Sequence, residues 1–263
     1  MMRGVKKLLP IVPAALLAAC GHAAPRSAPA APVAAPVAAP APAPSPEKAE
    51  VLLSRARALR GAGDLPGARA RLDDGLEADV GSSAVRLELA DVLVAEGLEL
   101  DYAAFLLDGL AETAGGRVSL VRARLCEARA DDAGAATAYG AALARAEDPG
   151  ARLRRALALE RLGRTGEEIA ELERLRSERP TDVFARAHLG DAYEDAGRRV
   201  DAEAELKWVA EAQPDRPAGW LRLARFYEHA GRPREAREAA ERARAAGGVR
   251  PERSLRPLLP SRH

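Results

Sequence analysis

Two stretches decide the fold: LGDAYEDAGRRVDAEAEL at 189–206 and LARFYEHAGRPREAREAA at 223–240. Laid side by side, Leu189, Gly190, Tyr193, Gly197 and Ala202 stand 34 residues before Leu223, Ala224, Tyr227, Gly231 and Ala236. Glycines at 63, 97, 163, 197 and 231 extend the pattern with spacings of 34, 66, 34 and 34, a period of about 34 with one degenerate copy between Gly97 and Gly163. A fixed period of this length marks an array of supersecondary units. Within a copy the spacing is helical. Leu189, Ala192 and Tyr193 share one face, and Ala202 and Leu206 form the facing stripe of a second helix. Such a pair packs antiparallel, with small residues where the axes come closest and glycine where the first helix ends in a left-handed turn. Each hairpin leaves an apolar edge that only its neighbour can cover, so the array is stable as a stack.

These residues resemble the tetratricopeptide repeat (TPR). In that family a large residue, a Leu, a Gly or Ala and a Tyr mark helix A, a small residue marks the crossing with helix B, and Pro closes the unit. Trp220 takes the leading large position of the final copy, and Pro180 and Pro214 close the units ahead of the last two. The resemblance implies an all-α, right-handed superhelical solenoid of about six helix-turn-helix repeats over residues 47–247. The first copy carries Leu52, Ala56, Leu59, Gly63, Ala68 and Leu72. The second carries Leu89, Ala90, Leu93, Gly97, Ala103 and Leu107 with one inserted residue. Ala135, Tyr139, Ala142 and Leu143 mark helix B of the third. The fourth has Leu159, Gly163, Leu172 and Leu175 but Glu168 at the small position, where a slip of one residue would bring Ile169 or Ala170 to the crossing.

Composition agrees with helices. Of 263 residues 48% are hydrophobic and 30% charged, while 3% are aromatic, too few for most β-sandwich cores. The formal net charge of +1 speaks against a nucleic-acid-binding face, which needs Lys and Arg clustered without matching carboxylates.

The start of the chain reads differently. Arg3, Lys6 and Lys7 precede a short apolar run at 8–17, and Ala18 and Ala19 precede Cys20. This is the pattern of a secretory signal peptide over residues 1–19. Leu17, Ala18, Ala19 and Cys20 resemble the lipobox of bacterial lipoproteins. That resemblance implies cleavage before Cys20, diacylation of its thiol (palmitate being a typical chain) and anchorage to a membrane. Gly21 stands where aspartate resembles an inner-membrane retention signal, so the expected address is the outer membrane, facing the periplasm, with the inner membrane and the cell surface as the alternatives. Residues 20–46 form a Pro/Ala-rich tether without a core pattern, with prolines at 25, 29, 32, 36, 40, 42, 44 and 46. Its composition favours polyproline II and disorder rather than packing, with a reach on the order of 80 Å if fully extended. Residues 248–263 make a basic, Pro-containing tail, and the sequence leaves open whether Leu255, Leu258 and Leu259 fold back onto the last repeat.

No constellation for catalysis, cofactor or metal stands out. His188 and His229 lie on helix A of copies five and six with no second His or Cys four residues away. Gly61, Gly63 and Gly67 lack the Lys and Ser or Thr of a phosphate loop and read as the first inter-helix turn. Cys126 reads as a small buried apolar residue. What remains is protein binding. In TPR solenoids helix A lines the concave face, and the matching positions, expected to be exposed, include Arg57, Asp91, Asp191, Glu194, Arg225 and Glu228. The paired Asn and Lys of the family's carboxylate clamp are missing there. The organisation resembles the pilotin-like TPR lipoproteins of type IV pilus assembly, which implies a non-catalytic scaffold with a protein partner in the cell envelope. The alternative is an adaptor regulating a cell-wall hydrolase or other envelope enzyme.

Overall fold

The computed structural model describes residues 45–112 and 115–247. Cys20, the Pro/Ala segment and the tail leucines therefore lie outside the described residues. Twelve helices follow in order among the described residues: α1 (Pro46–Gly61), α2 (Leu65–Ala78), α3 (Ser83–Glu96), α4 (Leu100–Leu107), α5 (Arg117–Ala128), α6 (Asp132–Leu143), α7 (Pro149–Arg161), α8 (Thr165–Glu178), α9 (Val183–Asp195), α10 (Arg199–Ala212), α11 (Pro217–His229) and α12 (Pro233–Gly247). They pair as six hairpins, the odd-numbered helix of each being A and the even-numbered B. Each B helix also packs on the A helix that follows. The result is an all-α repeat solenoid.

Each A helix ends the same way. Gly63, Gly97, Gly163, Gly197 and Gly231 take positive φ, and the next residue returns its N–H to the carbonyl five residues back, as in Asp64 to Leu59 and Arg232 to Tyr227. This closes the carbonyls that a helix C-terminus leaves open. The degenerate third copy keeps the geometry without the glycine: Ala130 adopts φ 57° and Asp131 N–H reaches the Cys126 carbonyl at 2.9 Å. The spacing of 66 is thus two repeats of 33. The residue inserted in copy two falls between Gly97 and α4, where Glu99 also takes positive φ. After most other turns an Asp or a short connection starts the B helix directly; Asp64 and Asp131 accept from the N–H groups of Gly67 and Gly134, both at 2.9 Å.

The A–B crossing is lined by Ala56, Ala90, Ala123, Ala156, Gly190 and Ala224 on the A side, all buried. On the B side stand Ala68, Ala103, Ala135, Ala202 and Ala236, each four residues after its cap. In repeat four that place is held by Glu168, which is 4% exposed. The expected slip does not occur: Ala170 is exposed, and Ile169 packs beside the crossing rather than in it. The turn at Gly163 sets where α8 begins, and that fixes the register whatever side chain arrives at the crossing. Burial, with Glu160 and Asp195 nearby, pushes the Glu168 carboxyl up to about 7. Cys126 is half-buried rather than buried, and holds in repeat three the place that Tyr193 and Tyr227 hold in the last two.

Candidate protein-binding surface

The solvent side of the A helices carries charge at one-repeat spacing, so side chains on consecutive helices meet. In the first half of the array two buried acids on α3 collect arginines from both neighbouring A helices. Arg57 Nε donates to Glu88 at 3.3 Å and Arg60 to Asp91 at 2.5 Å, both from α1. From α5, Arg117 donates to Glu88 at 2.6 Å and Arg124 to Asp91. Asp91 is 3% exposed, which corrects the expectation that it faces a partner. Four guanidinium groups from both sides cover the two carboxylates, and in exchange remove them from any external contact.

The second half is arranged differently. Asp191 on α9 is half-buried and accepts from Arg222 and, at 2.9 Å, from Arg225, both on α11. Glu194 lies 2.9 Å from His229 Nδ1. Arg225, Glu228 and Arg57 are exposed as expected, while Asp191 and Glu194 are partly covered by their partners. Of the six positions read from the sequence, Arg225, Asp191 and Glu194 come together on one face across α9 and α11, and Glu228 sits on the next turn of α11. Arg57 belongs to the separate cluster around Glu88.

Two apolar side chains that the sequence reading passed over complete this second face. Phe184 is 51% exposed and Leu221 is 56% exposed. Phe184, His188 and Asp191 share a face of α9 at helical spacing, and Leu221 and Arg225 share one on α11, so the Asp191–Arg225 bond joins the two faces. The Phe184 ring tilts against His188 with centroids 4.5 Å apart. Burial first, and Arg222 after it, hold the His188 imidazole below its ordinary value, against the pull of Glu160. The signal that would have found Phe184 and Leu221 is an apolar residue on helix A outside the positions the hairpin core requires.

Other ions work inside the stack. Glu205 on α10 takes Arg176 at 2.7 Å and Arg186 at 2.6 Å, and buried Arg152 reaches Glu171 at 3.0 Å. Tyr227 donates to Glu203 at 3.0 Å, where Arg232 and Lys207 also converge; burial opposes ionisation there, but these three donors hold the Glu203 carboxyl at about 2. Among the described residues no group of three His, Cys, Asp or Glu is placed to hold a metal ion. No described helix is long and apolar enough to cross a membrane.

Comparison with known proteins agrees with the repeat geometry. The sequence profile of the tetratricopeptide repeat matches residues 121–183 and 188–251. The C-terminal part of a TPR repeat-containing protein from Cytophaga hutchinsonii superposes with a TM-score of 0.62 at 18% identity, over 74% of this chain and 79% of that one. PilW, described as a widely conserved type IV pilus biogenesis factor, gives 0.57 at 17% identity, over 77% and 94%. PilF of Pseudomonas aeruginosa gives 0.57 at 14% identity, over 76% and 91%. At these identities the likeness is one of fold. No curated protein matches the chain.

Proposed function

We propose that this tetratricopeptide-repeat protein is a non-catalytic scaffold, anchored to the outer membrane through an acylated Cys20, that binds a protein partner in the periplasm across the A helices of repeats five and six. The observation that carries the reading is the pair Phe184 and Leu221, half-exposed apolar side chains set among Asp191, Glu194, Arg225 and Glu228. An apolar anchor ringed by charges of both signs is the usual anatomy of a protein-binding hot spot. The mixed ring favours a folded partner or a long segment over a short tail of one charge. PilW, similar in fold, is named as a type IV pilus biogenesis factor, which supports assembly of a pilus or secretin complex as the task.

Two experiments test the two halves of this reading. Cys20→Ala is expected to move the protein from the membrane fraction to the soluble one, and unchanged fractionation rejects the anchor. A Phe184→Ser, Leu221→Ser double variant is expected to retain its helical circular dichroism while losing at least tenfold in partner recovery from detergent-solubilised envelope. Recovery of a secretin supports the pilus reading. Recovery of a cell-wall hydrolase replaces it with the adaptor reading, and undiminished recovery by the double variant moves the binding face elsewhere.

A further inference from the structure

The chain as a whole balances 40 Lys and Arg against 39 Asp and Glu, but residues 72–116 hold eleven acids and a single base, Arg86. Arginines from outside this stretch meet many of the acids. Glu88 and Asp91 are covered from α1 and α5. Asp101 takes Arg129 and Glu99 takes Arg69, both at 2.5 Å, and Asp74 takes Arg71 at 3.1 Å. Glu77, exposed on α2, and Asp108, at the end of α4, form no ion pair among the described residues. The acid excess of repeats one and two is therefore left on the side of the B helices.

On that side lies a groove of about 660 Å³ whose lining comes largely from α2 and α4. Asp73, Leu76 and Glu77 fall at i, i+3 and i+4 on one stripe of α2, with Val80 just past its end, and Tyr102 and Phe105 stand one turn apart on α4. Val80 is 73% and Phe105 69% exposed, more than any other large apolar side chain described except Val200. The Tyr102 and Phe105 rings lie within 15° of parallel with centroids 6.3 Å apart. Arg86, the one base of the lining, is turned to the backbone and donates to the Asp108 and Phe105 carbonyls at 2.8 and 3.4 Å. The charges that α2 adds to the groove, Asp73 and Glu77, are both negative.

Aromatic and aliphatic side chains left in solvent together mark an interaction surface, and the sign of the charge around them selects the partner. We propose that this groove docks a segment of a partner protein that carries Lys or Arg beside large apolar side chains, as on the two faces of a cationic amphipathic helix. Its apolar side chains fill the space between Val80 and Phe105, and its cations meet Asp73 and Glu77. An acidic segment is repelled by the same two carboxylates. The groove belongs to the B helices of repeats one and two, so the inference stands apart from the A-helix face of repeats five and six and holds whether or not Cys20 is acylated.

The chain has three phenylalanines, Phe105, Phe184 and Phe226, so full-length protein carrying Cys20→Ala and labelled with 4-fluorophenylalanine gives three fluorine resonances, assigned by Phe105→Leu. The probe is a short peptide of Leu and Lys alone, patterned as an amphipathic helix, and its twin has Glu in place of every Lys. The Leu/Lys peptide is expected to shift the Phe105 resonance saturably while Phe184 and Phe226 keep their positions, and the Leu/Glu twin to bind there about tenfold more weakly. Asp73→Asn with Glu77→Gln, both at exposed positions, is expected to keep the helical circular dichroism and to weaken the Leu/Lys peptide about fivefold. A Phe105 resonance that ignores the Leu/Lys peptide, or that answers the two peptides or the two protein forms equally, overturns the proposal. So does a shift at Phe184 in place of Phe105, which would assign the peptide to the A-helix face. A Phe105 position that varies with protein concentration in the absence of peptide also overturns it, by placing a second copy in the groove.

Discussion

Asp91 and Asp191 stand at the same place in repeats two and five, six residues ahead of the turn glycines Gly97 and Gly197, and they meet different fates. Helix α3 packs directly on both α1 and α5, so the A face closes over Asp91 and arginines arrive from both sides. Helix α9 packs chiefly on α8 and α10, and its acid is met from α11 alone, with Phe184 and Leu221 left in solvent beside it. The same residue type in the same repeat position is cohesive where A helices crowd and available where they part. Position in the repeat assigns a side chain to a face; the neighbouring helices decide whether that face is open.

The largest difference expected from this contrast is between Asp91→Ala and Asp191→Ala. Loss of a buried carboxylate with several charged donors should cost about 1.5–3 kcal/mol, and loss of the partly solvated one below about 1 kcal/mol. Urea midpoints of the two variants measure it, and equal losses would erase the distinction between the halves. The crossing of repeat four offers a second comparison, with Ala202 and Ala236 as references. The Glu168 carboxyl is raised by folding, so its neutral form favours the native state; that contribution is complete below the ordinary carboxylate range and is lost as pH climbs through about 7. Glu168→Ala should therefore raise stability by about 1–2 kcal/mol at pH 8. The gain should shrink toward pH 5, as thermal unfolding at the two pH values would show; a gain independent of pH would mean that packing rather than charge limits this crossing. The smallest effect belongs to the turns. Ala130→Gly should stabilise by about 0.5–1 kcal/mol, and Gly197→Ala should cost a similar amount, because only glycine takes positive φ without a Cβ penalty. Thermal melts of this pair test whether the third turn is as strictly shaped as the others.

The period, the alanines of the crossing and the turn glycines are legible in the sequence because each answers a local requirement repeated every 34 residues. The bond between Asp191 and Arg225 was legible in principle, since the two are one repeat apart and opposite in charge. Other features answer to neighbours rather than to period. The left-handed Ala130 hides because alanine is also the commonest helix residue here. The burial of Asp91 follows from how closely α1 and α5 approach α3, which spacing alone does not encode. Glu168 misleads in the opposite way: its chemistry argues for a shifted register, yet the turn before α8 outweighs one buried carboxyl.

The arginine–acid bonds between consecutive A helices tie the repeats together along the A side, and most of their guanidinium groups are partly solvated. Dissolved ions weaken such pairs, with a Debye length falling from about 8 Å at physiological ionic strength to about 3 Å at 1 M, while the apolar contacts between A and B helices are left intact. Brine therefore loosens the charged links between neighbouring repeats, on the A side and at the Arg176–Glu205 bond between α8 and α10 alike, and leaves each repeat's own hairpin held by its apolar seam.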